Sequence, residues 1–223
     1  MSIFCGILAT PLGAPAKADP MAISLPEFLP VGEAAQPPYG WAGYCERYSS
    51  ECGLQPATIR SLDLNQNTWG LMVAVNDWVN NSIRPETDWK HWGLADRWDD
   101  PTDGYGDCED IAILKQQILI SLGVPEEALL LTVVWDKDNE GHAVLTAHTT
   151  QGDYILDNKT REILIWSQTA YDFVKRQSQS SPNQWVYVDG LRWPPSTTAA
   201  CAANRCGQQT AQTASLLPQS TPP

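Results

Sequence analysis

The sequence predicts an α+β fold, and two observations carry that expectation. Helical periodicity comes first: Trp69, Met72, Val73, Asn76, Val79 and Ile83 fall on one stripe of a helix over 67–83, and Ile111, Leu114, Ile118 and Leu122 recur three and four apart. From Ala128 onward the pattern becomes apolar β-branched runs and period-two alternation, the mark of strands. The expected arrangement is helices packed on an antiparallel sheet. At 223 residues with an ordinary hydrophobic fraction and ten Trp, one domain is the natural count. The net charge of -12 argues against nucleic acid, whose phosphates demand a basic footprint, and against an anionic membrane surface.

Residues 1–18 read as a secretory signal, with an apolar core from Ile3 to Leu12 and a small-x-small cleavage site at Ala16-Lys17-Ala18, although the usual basic n-region is missing. The cysteines agree with export. Cys5 leaves with the signal, Cys45 and Cys52 stand close together, as do Cys201 and Cys206, and Cys108 is the odd thiol. Residues 19–40 read as an extended lead-in rich in Pro and Ala, and the domain is expected over 41–193. In one continuous helix Cys45 and Cys52 would be roughly 10.5 Å apart. A disulfide tolerates less than about 7 Å, so pairing requires a break near Ser49-Ser50. Pro85 stops the first long helix, and 87–101 forms a polar, aromatic loop of the kind that carries function.

The chain is organised around Asp103-Gly-Tyr-Gly-Asp107-Cys108-Glu109-Asp110 and the helix that follows it to Gly123. Asp107 is placed as N-cap, with Asp110 three residues later. Cys108 then sits in the first turn, where free N–H groups and a positive partial charge favour a thiolate. Strands are expected over 128–135, over 141–148 and back from a turn at Gln151-Gly152 through Asp157, then over 163–166 and 185–188. Residues 173–181, with their Lys-Arg-Gln-Ser-Gln run, read as a connecting loop with a short helix. Beyond Pro194 the Pro, Ser, Thr, Ala and Gln composition reads as a disordered tail, 194–223.

A helix led by Cys108, a strand led by His142 and a strand ending in Asp157 give a nucleophile, a base and an orienting carboxylate in chain order. An imidazole takes the thiol proton and returns it to the leaving group, while the carboxylate fixes its tautomer. His148 shares the face of His142 by period two, so alternation alone does not choose between them. Gly141 before His142 favours the latter, and His91 ranks third. Against this stands a plain alternative, a non-catalytic protein in which Cys108 is a buried structural thiol. A zinc site of Cys108, His142 and Asp157 is disfavoured, because it lacks the usual short-spaced ligand pair.

The blocks Gly106-Asp107-Cys108-Glu109-Asp110, Glu140-Gly141-His142-Ala143-Val144 and Ile155-Leu156-Asp157-Asn158 resemble the three signature blocks of the bacterial transglutaminase-like cysteine proteinases. Thr87-Asp88, His91-Trp92-Gly93, Pro101-Thr-Asp-Gly104 and Val174-Lys-Arg-Gln-Ser-Gln179 are similar too, and the resemblance spans roughly 41–190. It implies a papain-like, transglutaminase-type core, a periplasmic location and a protein substrate such as a surface adhesin whose clipping frees cells from biofilms. A membrane-bound regulatory protein is implied as a partner. Under it Cys108 is nucleophile, His142 general base and acid, and Asp157 the orienter. The Cys108 N–H is one oxyanion donor, with Trp92 or Trp98 as candidates for the second. Acyl transfer to an amine on the same scaffold is the alternative outcome.

Asp96, Asp99, Asp100, Asp103, Asp107, Glu109 and Asp110 crowd one stretch, and carboxylates beside a thiol oppose its ionisation. Helix capping accounts for Asp107 and Asp110. A bound hard cation would account for the excess. The resemblance implies calcium held by acids flanking the cysteine, which here are Asp107, Glu109 and Asp110.

Overall fold

The computed structural model describes residues 27–53 and 58–189. The expected signal, the expected tail and the pair Cys201 and Cys206 lie outside them. Strand β1 (Val31–Ala35) is followed by α1 (Tyr39–Arg47), α2 (Ser49–Cys52) and the long α3 (Gln66–Ser82). Two-residue strands β2 (Arg84–Pro85) and β3 (Tyr105–Gly106) flank the one-turn α4 (Asp88–His91) and pair in parallel. Helix α5 (Cys108–Ser121) then leads to β4 (Leu129–Trp135), β5 (Gly141–Thr149), β6 (Gly152–Leu156), β7 (Leu164–Ile165), β8 (Asp172–Ser178) and β9 (Ser181–Val188). The seven longer-range partners form one sheet in the order β1-β9-β8-β4-β5-β6-β7, with every pairing antiparallel. The α+β arrangement is the expected one.

Helix α5 sits in the middle, against β4, β5 and α3. Its most buried positions include Ile111, Ala112, Ile113, Lys115 and Leu119, while Leu122 of the expected stripe is mostly exposed. A helix enclosed on several sides buries more than one stripe, so the sequence pattern names only part of its packing surface. In α3 likewise Met72, Asn76 and Val79 are buried as the stripe requires, but Val75 is buried too and Val73 is half exposed. The core on this side of the sheet holds a triangle of Trp41, Trp98 and Trp185, with ring centroids 6.0 to 6.3 Å apart. A smaller cluster of Leu29, Val134, Val144, Ile155, Trp166 and Phe173 forms a second core.

Two expectations change. Part of the lead-in is an edge strand: β1 pairs with β9. And residues 172–178 are not a loop but β8, an interior strand between β9 and β4. Its Lys175 and Gln177 side chains are nevertheless buried. Gln177 accepts from Leu131 N–H at 2.9 Å and donates to the Pro182 carbonyl at 3.0 Å, and Lys175 Nζ donates to the Gln36 carbonyl at 2.9 Å. Hydrogen bonds offset the cost of burying these groups, which is why a polar run can form an interior strand.

Cys45 and Cys52 form a disulfide with a Cα–Cα distance of 5.5 Å. The chain breaks helix at Tyr48, between α1 and α2, and that break brings the two cysteines within reach.

Candidate active site

Gly104, at φ +86, occupies the left-handed region open to glycine, and the chain turns there into β3. A Cβ on Gly106 would meet the Asp110 side chain at 2.8 Å, so only glycine lets that carboxylate fold back over the helix start. Asp107 is the N-cap of α5, and its N–H donates to Asp110 Oδ2 at 3.4 Å as part of a capping box. Asp110 Oδ1 also accepts from Asp99 N–H at 2.7 Å. Cys108, the first residue of the helix, is thereby anchored at its positive end.

From the other side, Asp136 organises the turn between β4 and β5. Its Oδ1 accepts from Asp138 N–H and Glu140 N–H, both at 2.9 Å, and its Oδ2 accepts from Lys159 Nζ at 2.6 Å. The ion pair ties the segment that delivers His142 to the one that carries Asp157. His142 Nε2 lies 2.8 Å from Asp157 Oδ1, with both side chains buried. An ionised carboxylate only accepts, so Nε2 carries the proton and Nδ1 is the basic nitrogen. Asp157 Oδ1 also accepts from Lys159 N–H at 3.0 Å, its Oδ2 from the Tyr171 hydroxyl, and its carbonyl from Asn80 at 2.8 Å. Despite its burial these donors hold its carboxyl below the ordinary range, His142 foremost.

The thiol meets this pair through β5: Ala143 N–H donates to Cys108 Sγ at 3.4 Å. Sγ itself donates to Glu109 Oε2 at 3.0 Å. Burial first, and then the Glu109 and Asp107 charges, push the Cys108 thiol well above its ordinary range. The arrangement as it stands holds the proton on sulfur, against the pull of the helix N-terminus.

The crowded acids separate into two groups. Most have partners. Asp96 accepts from Gly40 N–H and from Trp98 Nε1–H, Asp99 from Arg97 and Tyr48, Asp100 from Tyr44 and Gln117, and Asp103 is paired with His91. Trp98, buried with its N–H committed to Asp96, is therefore no oxyanion donor, and Trp92 is half exposed with the Arg97 guanidinium 4.4 Å from its ring centre.

Asp88, Asp107 and Glu109 differ. One oxygen from each lies within 4.8 Å of the others, and among the described residues none of the three is ion-paired with Lys or Arg. Asp107 Oδ1 is buried with no hydrogen-bond partner. Burial raises all three carboxyls, and the Asp107 charge adds to it at the other two, taking Asp88 to about 6 and Glu109 well beyond its ordinary range. A cluster of hard carboxylate oxygens with no paired Lys or Arg among the described residues fits a divalent cation such as calcium. Asp110, expected from the sequence alongside Asp107 and Glu109, caps the helix and accepts from Asp99 N–H, while Asp88 lies with the other two. Asp88 was not legible as a neighbour of Asp107 because it lies 19 residues away in the chain, at the head of α4. The only signal was its place in a block resembling the family.

The model of the family described as bacterial transglutaminase-like cysteine proteinase BTLCP matches residues 31–192. The chain belongs to this family. As a bacterial transglutaminase-like cysteine proteinase it is a cysteine peptidase, and its substrates are proteins. No curated protein matches it significantly. Among solved structures it is similar to calcium-bound Legionella pneumophila LapG, at 27% identity and a TM-score of 0.48, covering 62% of this chain and 79% of that one. The EGTA-treated form of the same protein matches at 28% identity and 0.45, covering 60% and 77%.

Proposed function

We propose that this peptidase is exported to the periplasm and cleaves an envelope or surface protein, an adhesin by the resemblance of its motifs, through Cys108, His142 and Asp157. The observation that carries the reading is the placement of a helix-leading thiol that accepts from Ala143 N–H, the residue directly after His142, whose imidazole is paired with a buried carboxylate. Cys108 attacks the scissile carbonyl. His142 Nδ1 takes the thiol proton and returns it to the leaving amine, and Asp157 holds the tautomer and supports the imidazolium. The Cys108 N–H, at the helix start, faces the developing oxyanion. Water then releases the acyl group.

Asp88, Asp107 and Glu109 would hold calcium, which supplies positive charge against three carboxylates that otherwise oppose the thiolate. With Glu109 engaged there, its oxygen no longer competes with His142 for the thiol proton. A membrane-bound regulatory protein is proposed as the partner that limits access to the substrate.

The test is incubation of purified protein with an envelope fraction, with mapping of new fragment termini. New termini from a surface protein are expected, absent with Cys108→Ala, slowed by EGTA and restored by calcium better than by magnesium. The same fragments from Cys108→Ala would overturn the reading. Mass addition of a supplied amine at the new C-termini would identify transfer instead of hydrolysis.

A further inference from the structure

We propose that Tyr171 is a positioning residue of this peptidase, its hydroxyl locking the Asp157 carboxylate in the one orientation that serves His142. The inference rests on the triad reading above and concerns a residue outside it.

Tyr171 lies in the turn just before β8. Register places that point at the catalytic end of the sheet: Val134 of β4 is opposite both His142 of β5 and Phe173 of β8, and Trp135 is opposite both Gly141 and Asp172. From there the Tyr171 hydroxyl donates to Asp157 Oδ2, and its ring lies 5.5 Å from the His142 ring, inclined at 50°. Asp157 is thus bonded on both oxygens by different elements. Oδ1 takes His142 Nε2–H and Lys159 N–H, and Oδ2 takes Tyr171.

The physical consequence follows from the symmetry of a carboxylate. Its two oxygens are chemically equal, and rotation about the last side-chain bond exchanges them or swings both out of the imidazole plane. Buried at 1% exposure, Asp157 has little water to satisfy Oδ2, so without the hydroxyl that oxygen would compete for the donors now on Oδ1. The hydroxyl removes the competition. Burial and the Asp157 charge raise the Tyr171 hydroxyl pKa, so it remains a donor. The nearby charges are the Asp136–Lys159 pair and Lys115 on α5; the first ties the two loops together, and Lys115 feels the Asp157 charge. Among the described residues, no other side-chain donor reaches Oδ2.

The experiment is a double-substitution cycle with Tyr171→Phe, which keeps the ring against His142, and Asp157→Asn. Iodoacetamide is the probe, its rate of reaction at Cys108 followed by peptide mass in calcium-containing buffer, so that no substrate need be known. The second readout is the ring N–H proton resonance of His142, assigned by its loss in His142→Ala. Tyr171→Phe is expected to slow alkylation roughly tenfold, as loss of one hydrogen bond to a charged group would. It should also shift or broaden the His142 resonance. Added to Asp157→Asn it should cause no further loss. A wild-type rate and resonance in Tyr171→Phe, with Asp157→Asn impaired, would overturn the role of Tyr171 and leave the triad standing. An equal, multiplying loss in both backgrounds would do the same, since Tyr171 would then act elsewhere. A wild-type rate in Asp157→Asn would overturn the triad and the Tyr171 proposal with it.

Discussion

The β5–β6 hairpin carries two histidine–aspartate pairs of similar length, which differ in the ring nitrogen bonded and in the burial of the histidine. His142 Nε2 lies 2.8 Å from Asp157 at the open end, and His148 Nδ1 lies 2.6 Å from Asp153 near the turn. Both aspartates are fully buried. What surrounds them separates the two. Beside His142 stand the Cys108 thiol, reached through Ala143, and Tyr171. Beside His148 stands the start of the described chain: Phe28 packs its ring 5.3 Å away, and Asp153 accepts from Leu29 N–H at 2.8 Å. The second pair is a clamp for the segment leading into β1. A third pair, His91 with Asp103 at 2.8 Å, sits near the surface loop. An imidazole fixed by a carboxylate is therefore a general structural device here, and of the three only His142 adjoins the residue whose N–H meets the thiol at the start of α5.

The comparison can be broken most directly by substitution. Cys108→Ala should abolish turnover. His142→Ala should lower kcat by about 10²- to 10⁴-fold, the usual span for a general base. His148→Ala should stay within about twofold of the native kcat, because a clamp residue touches no reacting atom. Steady-state cleavage of the mapped substrate decides, and equal losses at His142 and His148 would erase the distinction.

The aspartates should part in a different way. Asp157→Asn should leave folding intact and reduce kcat by less than Cys108→Ala does, since the orienter acts within an otherwise assembled site. Asp153→Ala should instead cost stability, about 1–3 kcal/mol for stranding Leu29 N–H and the His148 ring, with kcat per folded molecule retained. Urea unfolding beside kinetics measures both.

The smallest effect lies in pH. Burial raises the carboxyls of Asp88 to about 6 and of Asp110 to about 8, from an ordinary 3.8. The folded protein then binds more protons than the unfolded chain between those values, so metal-free stability should fall as pH rises from 5 to 7. Lys115, lowered to about 7 by burial, contributes the opposite slope only above that pH. Calcium should offset the fall, with the larger gain at the higher pH. Thermal melts in EGTA and in calcium across this range provide the check, and a flat metal-free profile would mean that the acids carry no such strain.

Much of the site was legible locally. The glycines before Asp107, the cap itself and the apolar recurrence after Cys108 place the thiol on the first turn of a helix, because helix starts are specified by neighbours within a few residues. The alternation through Gly152 likewise specifies the β5–β6 hairpin, whose first strand carries His142 and whose second ends just before Asp157. Periodicity says nothing of partners distant in sequence. It left His142 and His148 equivalent, did not group Asp88 with Asp107 and Glu109, read buried Gln177 and Lys175 as loop, and passed over Tyr171. Each of those was decided by hydrogen bonds between segments far apart in the chain: Gln177 to Leu131, Tyr171 to Asp157, Asp88 N–H to Asp107. A polar side chain can be buried, charged or reactive according to the donor that meets it, and that donor is supplied only when the chain folds.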